Sequence, residues 1–282
     1  MKKISPAQAA ALMLCFSLAR LLGFRPEGCN LLICAAAEIV CGAFLTALCM
    51  LLPEPKGKVN ALGRMFSAAA GLWLAFIFVM LLYELASSLN YSFPDFYAAP
   101  AIIASAAAAA AYCASMGLRG CARASCAAAI LTVAVLLLVG IGAAERFDPE
   151  RLELAVPDRG EQFLRQLLRQ LPRSAEFPLF LLLRRRIEHP RRAVLIRFSV
   201  QAAVTAGFMT LCAGVLGDRG LTGVPADTLS SYSKTSVIER FDALMLLVWT
   251  LCLIFAAAGL LIGIVTGAKQ TFNKSEVRIS NP

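Results

Sequence analysis

Residues 159–183 read RGEQFLRQLLRQLPRSAEFPLFLLL. Phe163, Leu164, Leu167, Leu168 and Leu171 recur at the spacing of one helical face, with Arg165 and Arg169 on another. Pro172 and Pro178 interrupt the stretch, and a helix carrying an interior proline must kink or break. The apolar part, 174–183, is too short to cross alone, because a hydrocarbon core about 30 Å thick needs about 20 helical residues. Two readings follow. The segment is either an amphipathic helix lying on a membrane surface or one broken span over 162–187. The rest of the chain favours the second.

Hydrophobic residues make up 59% of the 282 residues, only 16% are charged, and the mean hydropathy is +0.71. Such a composition excludes a disordered chain and an ordinary soluble enzyme, and points to a polytopic helical membrane protein. Seven long apolar runs stand out, at 5–24, 31–52, 65–89, 96–118, 124–144, 194–216 and 241–265. The first follows Lys2-Lys3 and reads as a span, not as a cleavable leader. With 162–187 as an eighth span, Lys2, Lys3, Lys56, Lys58, Arg64, Arg119, Arg123, Arg184, Arg185, Arg186, Arg191, Arg192, Lys269, Lys274 and Arg278 fall on one side. The loop 145–173 on the other side carries as many acids as arginines. That asymmetry predicts cytoplasmic N- and C-termini. It also assigns the net charge of +9 to anionic lipid, with no nucleic acid needed.

Catalytic and metal chemistry find little support. His189 is the one histidine, and the ten cysteines form no CxxC pair and lie mostly in apolar runs. No cofactor, metal site or enzymatic activity is expected. The informative residues are ionisable groups inside the spans, Arg20, Glu38, Glu84, Glu176 and Asp242, since such groups are costly in lipid. Around Pro178 a broken helix leaves backbone groups in need of a partner. The stretch Ser17 to Gly23 reads as a second interruption, in the first span. Interrupted first and sixth spans occupy matching places in a five-plus-five inverted repeat, where half-helix ends bind small substrates. A site is therefore expected between the two, from Ser17, Ala19 and Arg20 on one side and Glu176, Phe177 and Pro178 on the other. Arg20 pairs there with Glu176 or with a substrate carboxylate. Glu239 and Asp242 share a helical face and, with Arg240, are expected to form a charged cluster at the outer end of the last span.

Four motifs carry a family resemblance. Lys3-Ile-Ser-Pro-Ala-Gln8 with Pro26, Tyr112 with Gly117-Leu-Arg-Gly-Cys-Ala-Arg123, Leu154 to Arg173 with Glu176-Phe-Pro178, and Pro225 with Ile238-Glu-Arg-Phe-Asp242 and Trp249 resemble, in order, motifs of the spore germination permeases. These are the B subunits of germinant receptors, within the amino acid/polyamine/organocation transporter superfamily. The similarity spans about residues 3–267. It implies an all-α membrane bundle of LeuT-like inverted-repeat architecture, here lacking the last two of the family's ten spans. On that pattern 1–144 is the first five-helix repeat, 145–173 an outer loop with an amphipathic segment, 174–267 a partial second repeat, and 268–282 a cytoplasmic tail. The implied function is a receptor subunit in the cell membrane or spore inner membrane. It senses a small nutrient such as an amino acid, beside an A-type membrane subunit and a C-type lipoprotein, and the cluster at Glu239, Arg240 and Asp242 supports assembly. The alternatives are an active secondary amino-acid permease and a non-binding scaffold.

Overall fold

Ser5 and Gln8 define where the first helix begins. The Ser5 hydroxyl accepts from the Gln8 backbone N–H, the Gln8 side chain accepts from that of Ser5, and Pro6 takes the first helical position. The computed structural model describes residues 3–52, 61–92, 99–152, 159–217, 224–233 and 241–272. Among these, α1 (Pro6–Leu22) is buried on nearly every side and ends at Gly23. It is unbroken, contrary to the expected interruption. No Gly or Pro stands inside Ser17 to Leu22, so nothing there prevents the i to i−4 bonds from closing.

α2 (Leu31–Leu51) starts at Asn30, whose side chain accepts from the Leu32 N–H. α3 (Ala61–Ser92) and α4 (Ala99–Ser115) follow, then α5 (Gly117–Ala143). The turn between α4 and α5 is tighter than the sequence suggests. Gly117, at φ +77°, takes the left-handed conformation that a glycine adopts cheaply. Arg119 and Arg123 consequently stand in the first turns of α5 and not in a loop.

The decisive stretch breaks as expected. α6 (Arg159–Arg173) stops after Pro172, and α7 (Glu176–Leu183) restarts behind Ala175. Pro178 is the third residue of α7, within the first turn, where its missing N–H costs no helical bond. α8 (Pro190–Leu216) begins four residues before the apolar run. A short α9 (Pro225–Tyr232), which hydrophobicity does not reveal, precedes α10 (Phe241–Phe272). α10 continues helically past residue 267 into the stretch expected to be a tail.

α10 is the central helix and packs on α1, α3, α4 and α5. Gly259, Gly263 and Gly267 form a stripe along it. A Cβ on Gly263 would lie 2.6 Å from Leu74 Cδ1 of α3, and one on Gly267 would lie 3.0 Å from the Ser67 carbonyl. α2 packs on α8, and α6 runs beside the first half of α2. α2, α6 and α8 pack together on one side, α3, α4 and α10 on the other, and α1 lies between, packed on α5, α8 and α10.

Polarity is inverted relative to a soluble protein. Phe44, Leu72, Phe76, Ile130, Leu137 and Ile141 are exposed, while Glu176, Arg197, Gln201 and Thr205 are buried. Five helices, α2, α3, α5, α8 and α10, are long and apolar enough to cross a membrane; α1 and α4 are shorter. Local bonds gather much of the basic charge at one end. Ile4 bridges Ile187 through backbone bonds to Arg186 and Glu188, Arg119 donates to the Lys3 carbonyl, and Gln270 links Ser67 to Leu182. The start of the chain, the foot of α5, Arg184–Arg186 and the end of α10 are therefore neighbours. α6 and α7 together run from the opposite end, beside Asn30, to this one.

Candidate functional site

A cleft of about 590 Å³ opens at the end of the bundle away from Ile4. α1 contributes Phe16, Ala19 and Arg20; the following loop contributes Arg25 and Glu27; α2 contributes Cys34 and Glu38. α3 adds Phe76, Met80, Tyr83 and Glu84, α6 adds Gln166, Arg169, Gln170 and Arg173, and Met209 and Trp249 close the back. α6 turns Gln166 and Gln170 inward and leaves Leu164, Leu168 and Leu171 exposed.

Arg20 is ion-paired with Glu38 on the cleft floor, and its Nη1 donates to the Ser174 hydroxyl at 3.3 Å. Gln201 Nε2 donates to the same Glu38 oxygen at 2.9 Å. Beneath this pair, Glu176 accepts from the Ser17 hydroxyl at 2.9 Å and stands 3.5 Å from Arg197 Nη1. Arg197 also donates to Thr46 at 3.4 Å. Two cations and two carboxylates from α1, α2, α7 and α8 thus neutralise one another where water is scarce, as buried charges require. Arg20 Nε, Glu176 Oε2, Gln166 Oε1 and Gln201 Oε1 lack partners among the described residues.

The six expected site residues divide. Ala19 and Arg20 line the cleft, Ser17 and Glu176 form the network below it, and Phe177 and Pro178 pack into the core. The Ala19 carbonyl is already occupied by Gly23 N–H and by Trp249 Nε1 at 3.0 Å. Arg20 pairs with Glu38 and not with Glu176, which is taken by Arg197 and the Ser17 hydroxyl. Glu239 and Arg240 lie outside the described residues; Asp242 is exposed at the start of α10. Arg197, Gln201, Gln166 and Arg173 are additions to the expected set. Arg197, Gln201 and Thr205 recur every four residues as one buried polar stripe of α8, a signal present in the sequence.

Charged side chains are exposed at the mouth. Glu27, at φ +52°, sits in the turn after α1 and pairs with Arg169. The Arg169 hydrogen bond, aided by the charges of Arg173 and Arg25, holds its carboxyl below the usual carboxylate range against a smaller opposing effect of burial. On α9, burial pushes the Asp227 carboxyl up, with Asp242 adding to the shift and Arg25 opposing it. Among the described residues no group of His, Cys, Asp or Glu is arranged to hold a metal ion.

No curated protein matches the chain. A family model described as "Spore germination protein" matches residues 32–280, most of the chain, although the motif at Lys3 to Gln8 precedes the matched stretch. With its apolar helices and inverted polarity, the chain is an integral membrane protein with the features of a transporter-like permease, and it belongs to the spore germination protein family.

Proposed function

We propose that the protein is the B-type membrane subunit of a germinant receptor, sensing a small nutrient such as an amino acid in the cleft between α1, α3 and α6. The observation that carries this reading is the cleft itself, which reaches a pair of buried charges at mid-bundle in a chain of the germination family. The α6–α7 break beside Arg20 supports a LeuT-like arrangement. On this reading the chain crosses eight times, with the Lys3 end and the end of α10 in the cytoplasm, as the clustering of basic residues supports. The membrane is the cell membrane or the spore inner membrane. An A-type membrane subunit and a C-type lipoprotein are the partners, and the segment around Glu239, Arg240 and Asp242 serves assembly.

Spores carrying Arg20→Ala or Glu176→Gln test it. Wild-type concentration dependence in both variants at normal protein level overturns the ligand site. Nutrient uptake by reconstituted vesicles would instead make the protein an active permease. A scaffold role is the second reading, and the closed pairing of Arg20 with Glu38 and of Arg197 with Glu176 favours it. Loss of receptor assembly in these variants, with nutrient affinity unchanged in the receptors that remain, marks that role.

A further inference from the structure

The chain enters α2 through a tight turn. The Cys29 N–H closes it by donating to the Pro26 carbonyl at 3.1 Å, and both central residues, Glu27 and Gly28, take positive φ, +52° and +81°. Asn30 then caps α2, so Cys29 stands just before the cap and Cys34 is the fourth helical residue. Those are the two positions that pack on each other across a helix start. They do so here. Cys29 and Cys34 form a small buried cluster with Ile33, flanked by Phe24 and Phe163 and separate from the main core. One carbonyl serves both residues: that of Asn30 lies 3.7 Å from Cys29 Sγ and 3.0 Å from the Cys34 nitrogen.

Apolar side chains ordinarily fill these two positions, and a pair of thiols adds chemistry to the contact. The Cys34 S–H is the group that most favours a thiolate at Cys29. With the Gln166 amide and the charge of Arg165, and against the opposing effect of burial, it brings the Cys29 thiol down to about 7. All ten cysteines are free. Cys15, Cys121, Cys212 and Cys252 are wholly buried in the core, out of reach of a reagent. Cys29 lies before α2 with 7% of its surface exposed, and Cys34 lines the cleft, so a small molecule can reach this pair.

We propose that Cys29 and Cys34 are a redox-active pair beside the cleft, which a small organic disulfide oxidises to a Cys29–Cys34 bond, with Cys29 attacking and Cys34 resolving. The Cys29 thiolate attacks one sulfur of the disulfide, giving a mixed disulfide and releasing one thiolate. That thiolate takes the Cys34 proton. The Cys34 sulfur then attacks Cys29 and expels the second thiolate. One S–S bond forms and one breaks; two protein thiols are oxidised, and the reagent leaves as two reduced molecules. Closure ties the turn that carries Glu27 to the first turn of α2 and takes from the Gln166 amide the thiolate it favours. On the topology proposed above this end lies outside the cytoplasm, where thiols are not held reduced. The pair borders the cleft proposed for the nutrient but does not depend on nutrient sensing.

The test treats the full chain, folded in nanodiscs at neutral pH, with hydroxyethyl disulfide. The reaction is quenched with acid, free thiols are alkylated with iodoacetamide after unfolding, and the peptides are read by tandem mass spectrometry. In the wild-type protein the segment holding Cys29 and Cys34 is expected to lose two hydrogens and both alkylation sites, with dithiothreitol restoring them. In Cys34→Ser the reaction stops halfway, leaving a mercaptoethanol adduct on Cys29. In Cys29→Ser, Cys34 stays free. Melting temperatures of the two variants confirm that each is folded. Full alkylation of both cysteines in the treated wild-type protein overturns the proposal and leaves a packing contact only, whatever becomes of the variants. So does an adduct that persists on Cys29 of the wild-type protein, since Cys34 then fails to resolve it. An adduct on Cys34 of Cys29→Ser formed at the wild-type rate overturns the assignment of the attacking thiol, and equal oxidation of Cys41 or Cys49 overturns the claim that the pair is singled out. Closure in a protein without any nutrient response would remove the sensing reading and leave this one standing.

Discussion

Four of the ion pairs among the described residues divide by depth. Arg20–Glu38 and Arg197–Glu176 lie inside the bundle, each member tied to further helices by Ser174, Gln201, Ser17 or Thr46. Glu27–Arg169 and Glu161–Arg165 lie at the open end, with side chains largely in contact with solvent. The chemistry is the same, but the alternative to pairing differs. At the mouth, water solvates a carboxylate whose arginine is removed. In the interior the abandoned charge has nowhere to go, so the pair fixes the helices that carry it.

The strongest test of the contrast is Arg197→Met. Glu176 is then left buried and unpaired, and the loss is about 3–5 kcal/mol, read as a fall in thermal stability in detergent and in protein level. Adding Glu176→Met is expected to restore most of the loss; a double variant as weak as the single one would deny that charge is the cause. Arg20→Met is milder, about 1–3 kcal/mol. Glu38 keeps its bond from Gln201 and remains partly open to the cleft, so the same melting series should rank it below Arg197→Met. Glu27→Gln should cost less than about 1 kcal/mol, with the small effect vanishing in high salt. An effect of Glu27→Gln equal to that of Arg197→Met would abolish the distinction between mouth and interior.

Two carboxyls that each feel the charge of Arg25 have opposite pH behaviour. Glu27 is depressed in the folded protein. Its stabilisation is therefore present above the ordinary carboxylate range and is lost as pH falls through its lowered value. Asp227 is raised. Its contribution is present below the ordinary aspartate range and is lost as pH rises through the raised value. Melting across this range should show Glu27→Gln weakening the acid-side decline and Asp227→Asn weakening the decline towards neutrality. Identical profiles for the two variants would contradict the opposed signs.

Local chemistry was legible in the sequence and long-range pairing was not. Pro172, Ser174 and Pro178 announce the α6–α7 break, because proline acts on its own neighbours. The choice of Glu38 over Glu176 for Arg20 depends on where side chains of distant segments meet and on Arg197 taking Glu176, which no local spacing encodes. Arg197 was hidden by its position, three residues into an apolar run, where it reads as a flanking charge. The interruption expected at Ser17 to Gly23 failed for want of a helix breaker inside it. Pairing by composition alone missed α9, whose eight residues carry too little apolar character.

The backbone bridge between Ile4 and Ile187 bears on the order of assembly. Ile187 leaves the ribosome about 180 residues after Ile4, roughly ten to forty seconds later at ordinary translation speeds. α1 must therefore wait in the membrane with its arginine unmatched until α2 arrives, and with its start unanchored until α7 is complete. A chain interrupted before residue 187 leaves α1 without its clasp, so an unfinished protein exposes an unpaired backbone edge at Ile4 that quality control can recognise.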